Sequence, residues 1–307
     1  MTTTYHLGVH RFAVFTVCWT ILLFVAGALV TSKDAALSVT DWPKSHGTWV
    51  PPLAMLQGGD LFEFSHRVVA GALGLLTLTL AVLLWAKEKR PWMRWLGLSA
   101  VLGVAVQAIL GGQVVIRLLH YWLPVIHACF AQIVFGAVLG IAVFTSRWWV
   151  SDQPQLEDSG TPAIHSLAIL NAAVIYLQVI LGAGFRHREI PIWPHMVGAM
   201  LVLGMVIWTA VALRKRFAQS RELSKARILL HAIFGTQFLL GLGAYWSRLT
   251  TADAPQPMPV MVTLTVIHTV VGAILFAFSV LVVLMCYRLI PRGREVAATA
   301  GRQAATG

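Results

Sequence analysis

The sequence predicts an all-α polytopic membrane protein, with eight transmembrane helices arranged as two duplicated four-helix bundles related by a pseudo-two-fold axis along the membrane normal. Three observations lead there. The chain is 58% hydrophobic and only 11% charged over 307 residues, more apolar surface than a water-soluble core could hide. Its apolar residues fall into eight runs, each near the roughly 20 residues a helix needs to cross a bilayer. The chain also repeats itself: Gln107-Ala108-Ile109-Leu110-Gly111 recurs as Gln237-Phe238-Leu239-Leu240-Gly241, 130 positions on, and His66 recurs as His195, 129 positions on. Each half then holds an even number of spans, so the two copies share an orientation.

Taken in order, the runs are placed at 12–31, 65–86, 95–116, 122–145, 163–184, 193–213, 228–246 and 260–288. In the first, Ala26-Gly27-Ala28 has the small-residue look of a signal-peptidase site, but the apolar run is too long for a signal peptide and is read as a helix. The second opens where a loop gives way to the helix, on Glu63-Phe64-Ser65-His66-Arg67. The fifth carries a third copy of the glutamine motif, Gln178-Val179-Ile180-Leu181-Gly182, so the motif also marks helices in general. Between the fourth and fifth runs the polar stretch Ser151 to Gly160 divides an N-terminal half, 1–150, from a C-terminal half, 163–307, with 151–162 as a cytoplasmic linker. Trp92, Trp95, Trp122, Trp148, Trp149 and Trp193 fall at run ends, as interfacial anchors do.

The net charge of +11 does not indicate a nucleic-acid partner, because the basic residues lie between apolar runs rather than on one patch. Of the 23 lysines and arginines, 16 fall in one set of alternate loops and tails, which predicts a multi-pass protein of the cell membrane with both termini cytoplasmic. Cys18, Cys129 and Cys286 lie in separate apolar runs without metal-ligand or redox spacing, and are read as small buried hydrophobes.

Four of the eleven histidines, His66, His127, His195 and His268, occupy the early parts of runs two, four, six and eight. In this topology all four helices run inward from the outer face, which sets the imidazoles at a common depth, two per half. Facing imidazoles in a four-helix bundle can hold a haem iron from both sides. A lone histidine on an apolar helix is more often interhelical glue; four in register through a duplication favour ligation. Gly71, Gly74, Gly136, Gly198 and Gly272 follow these histidines and would let a flat ligand approach the backbone. Arg67, Arg117, Arg186, Arg188 and Arg248 lie near the same outer level, as partners for haem propionates or as headgroup anchors.

The halves differ in one respect that bears on chemistry. Glu63 precedes His66, whereas Ile192 takes the corresponding place before His195, and the N-terminal half has a loop 26 residues longer between Gly27 and His66 than between Gly182 and His195. An ionisable group at membrane depth is a functional-site hypothesis by default. The longer loop holds Asp41-Trp42-Pro43 and Trp49-Val50-Pro51-Pro52 and reads as a lid over the outer mouth.

These residues resemble the haem A synthase family over essentially the whole chain: Ala28-Leu29-Val30-Thr31, then Leu37-Ser38-Val39-Thr40-Asp41-Trp42-Pro43, then Glu63-x-x-His66-Arg67, then Gln107 to Gly112, then the histidines of the even helices. The resemblance implies an enzyme that oxidises the C8 methyl of haem O to the formyl of haem A for terminal oxidases. It implies His66 and His127 as axial ligands of the substrate haem, Glu63 as the catalytic acid, and His195 and His268 as ligands of a haem b cofactor. It also implies haem O synthase and cytochrome oxidase assembly as partners, with an electron donor that the residues do not identify. Two departures affect only the outer loop: no cysteine where some members carry a pair, and Ala36 in place of the family's glycine, with Lys33-Asp34 nearby. From the residues alone, a di-haem b-type cytochrome passing electrons between quinol and a partner, or a haem-handling assembly protein of the same fold, stays open. A transporter fits least, since no pair of broken helices marks a midplane site.

Overall fold

A computed structural model describes residues 5–291. Its helices are α1 (Leu7–Ser32), α2 (Gly59–Lys87), α3 (Pro91–Ile116), α4 (Leu123–Phe144), the single-turn α5 (Arg147–Val150), α6 (Ile164–Arg186), α7 (Trp193–Arg216), α8 (Arg221–Thr250) and α9 (Pro259–Leu289). All but α5 are long and apolar enough to cross a membrane, and each corresponds to one predicted run.

The helices outgrow the apolar runs where local chemistry extends them. In α8 the Ser220 hydroxyl accepts a bond from Leu223 N at 3.3 Å, so the charged turn Arg221 to Arg227 is helical. In α2 the start moves out from 65 to Gly59: Gly58 turns the chain with φ +56, and Asp60 in the first turn suits a helix N-terminus. The Glu63 to Arg67 stretch is therefore inside the helix rather than at a loop boundary. The helices α4, α7 and α9, which bear His127, His195 and His268, each start on a proline at the first or second position, where its fixed φ and missing N–H do no harm.

Packing follows the chain. α1, α2, α3 and α4 form a ring in which each helix touches the next and α4 returns to α1. α6, α7, α8 and α9 form a second ring of the same order. The two rings meet through α1 and α4 against α9, and α4 against α6. Phe135, Ala273 and Ala277, with Phe24 and Val17, fill that seam, and the Phe24 and Phe135 rings stand 5.4 Å apart. Leu75, Val82, Leu239 and Trp246 stay exposed on the outside, as hydrocarbon-facing residues do. Trp92, Trp95, Trp122 and Trp193 are exposed at helix ends. Cys129 and Cys286 are buried, whereas Cys18 is exposed on α1.

The linker between the rings is fastened rather than loose. Asp158 accepts bonds from Gly160 N and Ile164 N and pairs with Arg216. Leu156 N bonds Leu289 O at 2.8 Å, and Arg288 donates to Trp149 O and Ser151 O.

Candidate functional site

Each of the four in-register histidines packs its ring edge on a glycine of the preceding long helix. A Cβ added at Gly27 of α1 would lie 3.1 Å from His66 Cε1, at Gly111 of α3 3.1 Å from His127 Cε1, at Gly182 of α6 2.9 Å from His195 Cε1, and at Gly241 of α8 2.9 Å from His268 Cε1. Contacts that close leave no room for a side chain. In three of the four cases the residue one turn before the glycine is a glutamine. Gln107 Nε2 donates to His127 O at 2.8 Å, and Gln178 Nε2 to His195 O at 2.9 Å. Gln237 Nε2 sits 3.4 Å from His268 Nε2. The repeated Gln-x-x-x-Gly element is thus a seat for the histidine of the next helix.

In the second ring the imidazoles of His195 and His268 face one another, with centroids 6.3 Å apart and planes at 89°. Two metal–nitrogen bonds of about 2.0–2.1 Å, plus the distance from nitrogen to ring centre, separate trans imidazoles by roughly 6 Å. The 6.3 Å spacing is close to that separation, while both nitrogens of His268 contact Gln237. In the first ring His66 and His127 are part-buried, and the Nδ1 atom of each is buried without a hydrogen-bond partner.

Glu63 is only 3% exposed. Its Oε2 accepts Val39 N at 2.9 Å and its Oε1 accepts Arg67 Nη2 at 2.6 Å. Arg67 goes on to Asp41 O, Lys44 O, Ser45 Oγ and Val39 O. One ion pair on α2 thus fastens the long outer loop. Val39 is fully buried, and Trp42 stacks on Gly112, where an added Cβ would lie 2.6 Å from the indole. Asp41 accepts His46 N and Gly47 N, and His46 Nε2 meets Asp60 Oδ2 at 2.9 Å. The Gly47 N–H does most to hold the Asp41 carboxyl below its ordinary 3.8, against the opposing effect of burial, with His46 N–H and Arg67 helping.

A family profile described as "Cytochrome oxidase assembly protein" matches residues 56–190, from the end of the outer loop through α6. A protein named Heme A synthase from Symbiobacterium thermophilum is 29% identical, over 91% of this chain and 94% of its own length. Proteins of the same name from Shouchella clausii and Listeria welshimeri are 27% and 30% identical; the alignments take in 60% and 61% of this chain and span 61% and 62% of those relatives. The chain is similar to proteins named Heme A synthase over most of its length, and the fold of eight apolar helices described above is in keeping with that likeness.

The remaining sequence-derived candidates separate by position. Arg186, at the end of α6, donates to Thr269 Oγ1 at 2.7 Å on α9 and to Ala28 O and Ser32 Oγ on α1, so it ties the two rings together. Arg117, Arg188 and Arg248 are exposed; Arg117 donates to Gln113, and Arg248 lies 5.3 Å from the Phe185 ring. The glycines expected to admit a flat ligand divide between the rings. Nothing lies within 4 Å of an added Cβ at Gly71 or Gly136, but Gly198 and Gly272 are covered by the side chains of Gln178 and Gln237. In the second ring those glycines make room for the seating amides.

Proposed function

We propose that the chain is a haem A synthase, which oxidises the C8 methyl of haem O to a formyl group. The observation that carries the reading is the repeated seat of a histidine on a glycine, twice in each ring, combined with a buried carboxylate one turn before the first of those histidines and not before its counterpart His195. The N-terminal ring, residues 1–150, takes haem O between His66 and His127. The C-terminal half, 163–307, holds haem b between His195 and His268 of its ring. Haem, when bound, supplies the oxidising iron centre that protein side chains lack.

The rest falls to this chain's own residues. Glu63 lies one turn from His66 on α2 and is buried, whereas Asp60 and Asp41 turn to the outer loop at His46 and Gly47. As the catalytic acid it holds or takes a proton beside the reacting methyl. Arg67 and Val39 N–H orient it. The outer loop, closed by Trp42 on Gly112, excludes water from the pocket. Arg117, Arg188 and Arg248 carry free guanidinium surface for propionates at the outer level, whereas Arg67 and Arg186 direct their donors to the protein. Both termini face the cytoplasm of a cell membrane, and a fluorescent reporter fused at either end is expected to light up. Haem O synthase supplies the substrate, oxidase assembly consumes the product, and a separate donor furnishes electrons.

Mass analysis of pigment from purified wild type and Glu63→Ala tests the reading. The wild type is expected to yield haem b with haem O or haem A, and the variant haem b and haem O without haem A. Normal haem A in the variant overturns the role of Glu63. Haem b alone from the wild type, with haem O available, overturns the enzyme in favour of a di-haem cytochrome.

A further inference from the structure

We infer that the apolar tip of the outer loop, Trp49 to Met55, is a wedge seated in the headgroup and acyl boundary of the leaflet beside it. The loop between α1 and α2 has two parts. Up to Ser45 it is fastened to the helices: Val39 is buried, Trp42 lies on Gly112, and Arg67 donates to Asp41 O, Lys44 O and Ser45 Oγ. Beyond Ser45 it stands off. Trp49 is 69% exposed, Val50 79%, Leu53 86% and Met55 52%, and no charged residue occurs from Gly47 to Gly59.

The neck of this projection is polar and closed. His46 Nε2 meets Asp60 Oδ2 at 2.9 Å, Asp41 accepts His46 N and Gly47 N, and Ser45 and Thr48 exchange main-chain bonds of 2.8 and 3.1 Å. Within the tip the backbone meets many of its own needs. Pro51 and Pro52 have no N–H to satisfy, Met55 N bonds Pro52 O, Leu56 N bonds Leu53 O, and the Gln57 amide donates to Ala54 O. Apolar side chains on the outside of a polar stalk suit the boundary between water and lipid.

An exposed apolar patch calls for a cover, and three observations make that cover lipid. The first is level. α2 has 29 residues, about 43 Å at 1.5 Å per residue, which matches a bilayer together with its headgroups. With Lys87 at one headgroup layer, Asp60 and the neck stand at the other. The second is continuity: Leu61, Val68, Leu75 and Val82, all exposed, are spaced by seven and share one face of α2. The hydrocarbon-facing stripe thus begins at the residue after Asp60. The third is contrast. The α8–α9 loop, on the same side of the molecule, is exposed at Ala252, Asp253, Pro255 and Gln256, and none of those residues is a large hydrophobe. Exposure to water therefore does not account for Trp, Val, Leu and Met at the other tip, whereas lipid does, with tryptophan at the interfacial level that favours its ring. Irregular backbone does not enter the hydrocarbon core, so the wedge stops roughly 5–10 Å deep.

Spin labelling of the full-length protein in nanodiscs of phosphatidylcholine and phosphatidylglycerol tests this. In a Cys18→Ser background, which removes the exposed thiol, a nitroxide is attached at Leu53→Cys or at Asp253→Cys. Its collisions with oxygen, which concentrates in lipid, are compared with its collisions with a water-soluble nickel chelate. The label at 53 is expected to favour oxygen several-fold more than the label at 253. Adding Trp49→Ser and Val50→Ser is expected to shift the label at 53 toward nickel, because the tip then lacks the apolar area that seats it. Equal preference at 53 and 253 overturns the inference by placing the tip in water. A label at 53 shielded from both reagents overturns it by showing a protein cover, whether a second copy or a partner. A label at 53 unmoved by the two serines shows that the neck alone sets its depth, and the side chains then seat nothing.

Discussion

At the scale of single residues, small size matters as much as charge. Gly182 is the tightest of the four histidine seats, because a methyl group there would stand 2.9 Å from His195 Cε1 and 3.2 Å from Nδ1, closer than carbon and nitrogen pack without displacement. Gly182→Ala is therefore expected to tilt the His195 ring and remove most haem b absorbance per protein, while haem O still binds in the first ring; full haem b content would refute the seat. Glu63 illustrates the opposite case of a residue with two duties. Its carboxylate is both the buried acid one turn from His66 and the acceptor that holds Val39 N–H and Arg67. Removing one member of such a buried pair costs on the order of 3 kcal/mol, so Glu63→Ala is expected to lower the thermal midpoint as well as stop haem A formation. An unchanged midpoint would show that the pair holds nothing.

At the scale of elements, the outer loop depends on contacts distant in sequence. Gly112→Leu is expected to dislodge Trp42 and expose the loop to protease while leaving the helices intact; protection equal to wild type would argue against the closed loop. Asp41 adds a pH dependence of known sign. Its folded value lies below 3.8, so its contribution to loop closure is complete at and above ordinary pH and is lost as pH falls through that lower value. Cleavage in the loop is expected to rise only under acid, and a rise on the alkaline side would contradict the assignment. The helices themselves were legible in the sequence because hydrocarbon thickness sets run length, and all eight runs were found. Most ends agree within two residues, but the starts of α2 and α8 were missed, since Ser220 capping and Asp60 at the α2 start act through local bonds that hydropathy does not register. The glutamine motif was visible but its purpose was hidden. Gln107 precedes His127 by 20 residues, Gln178 precedes His195 by 17, and Gln237 precedes His268 by 31. Unequal loops thus disguise a repeated contact. The Trp42 to Gly112 contact was equally unreadable, though both residues stood in motifs that the sequence had marked.

At the scale of the whole molecule, two rings of four helices share a seam that Arg186 crosses with two hydrogen bonds, to Ala28 O and Ser32 Oγ, while a third holds it to Thr269 in its own ring. It reaches Thr269, next to His268, and Ala28, next to Gly27 on which His66 rests. Arg186→Met is expected to lower the thermal midpoint by a few degrees without changing haem content, and loss of both haems together would instead mean that the seam organises the two pockets. The shut outer loop has a further implication for how a large greasy substrate arrives. With Arg67 and Trp42 holding that loop across α2 and α3, entry between helices from the acyl phase is the expected route. Turnover is then expected to track the mole fraction of haem O among lipids or detergent rather than its molarity, and adding micelles at constant total haem O to slow the reaction in proportion.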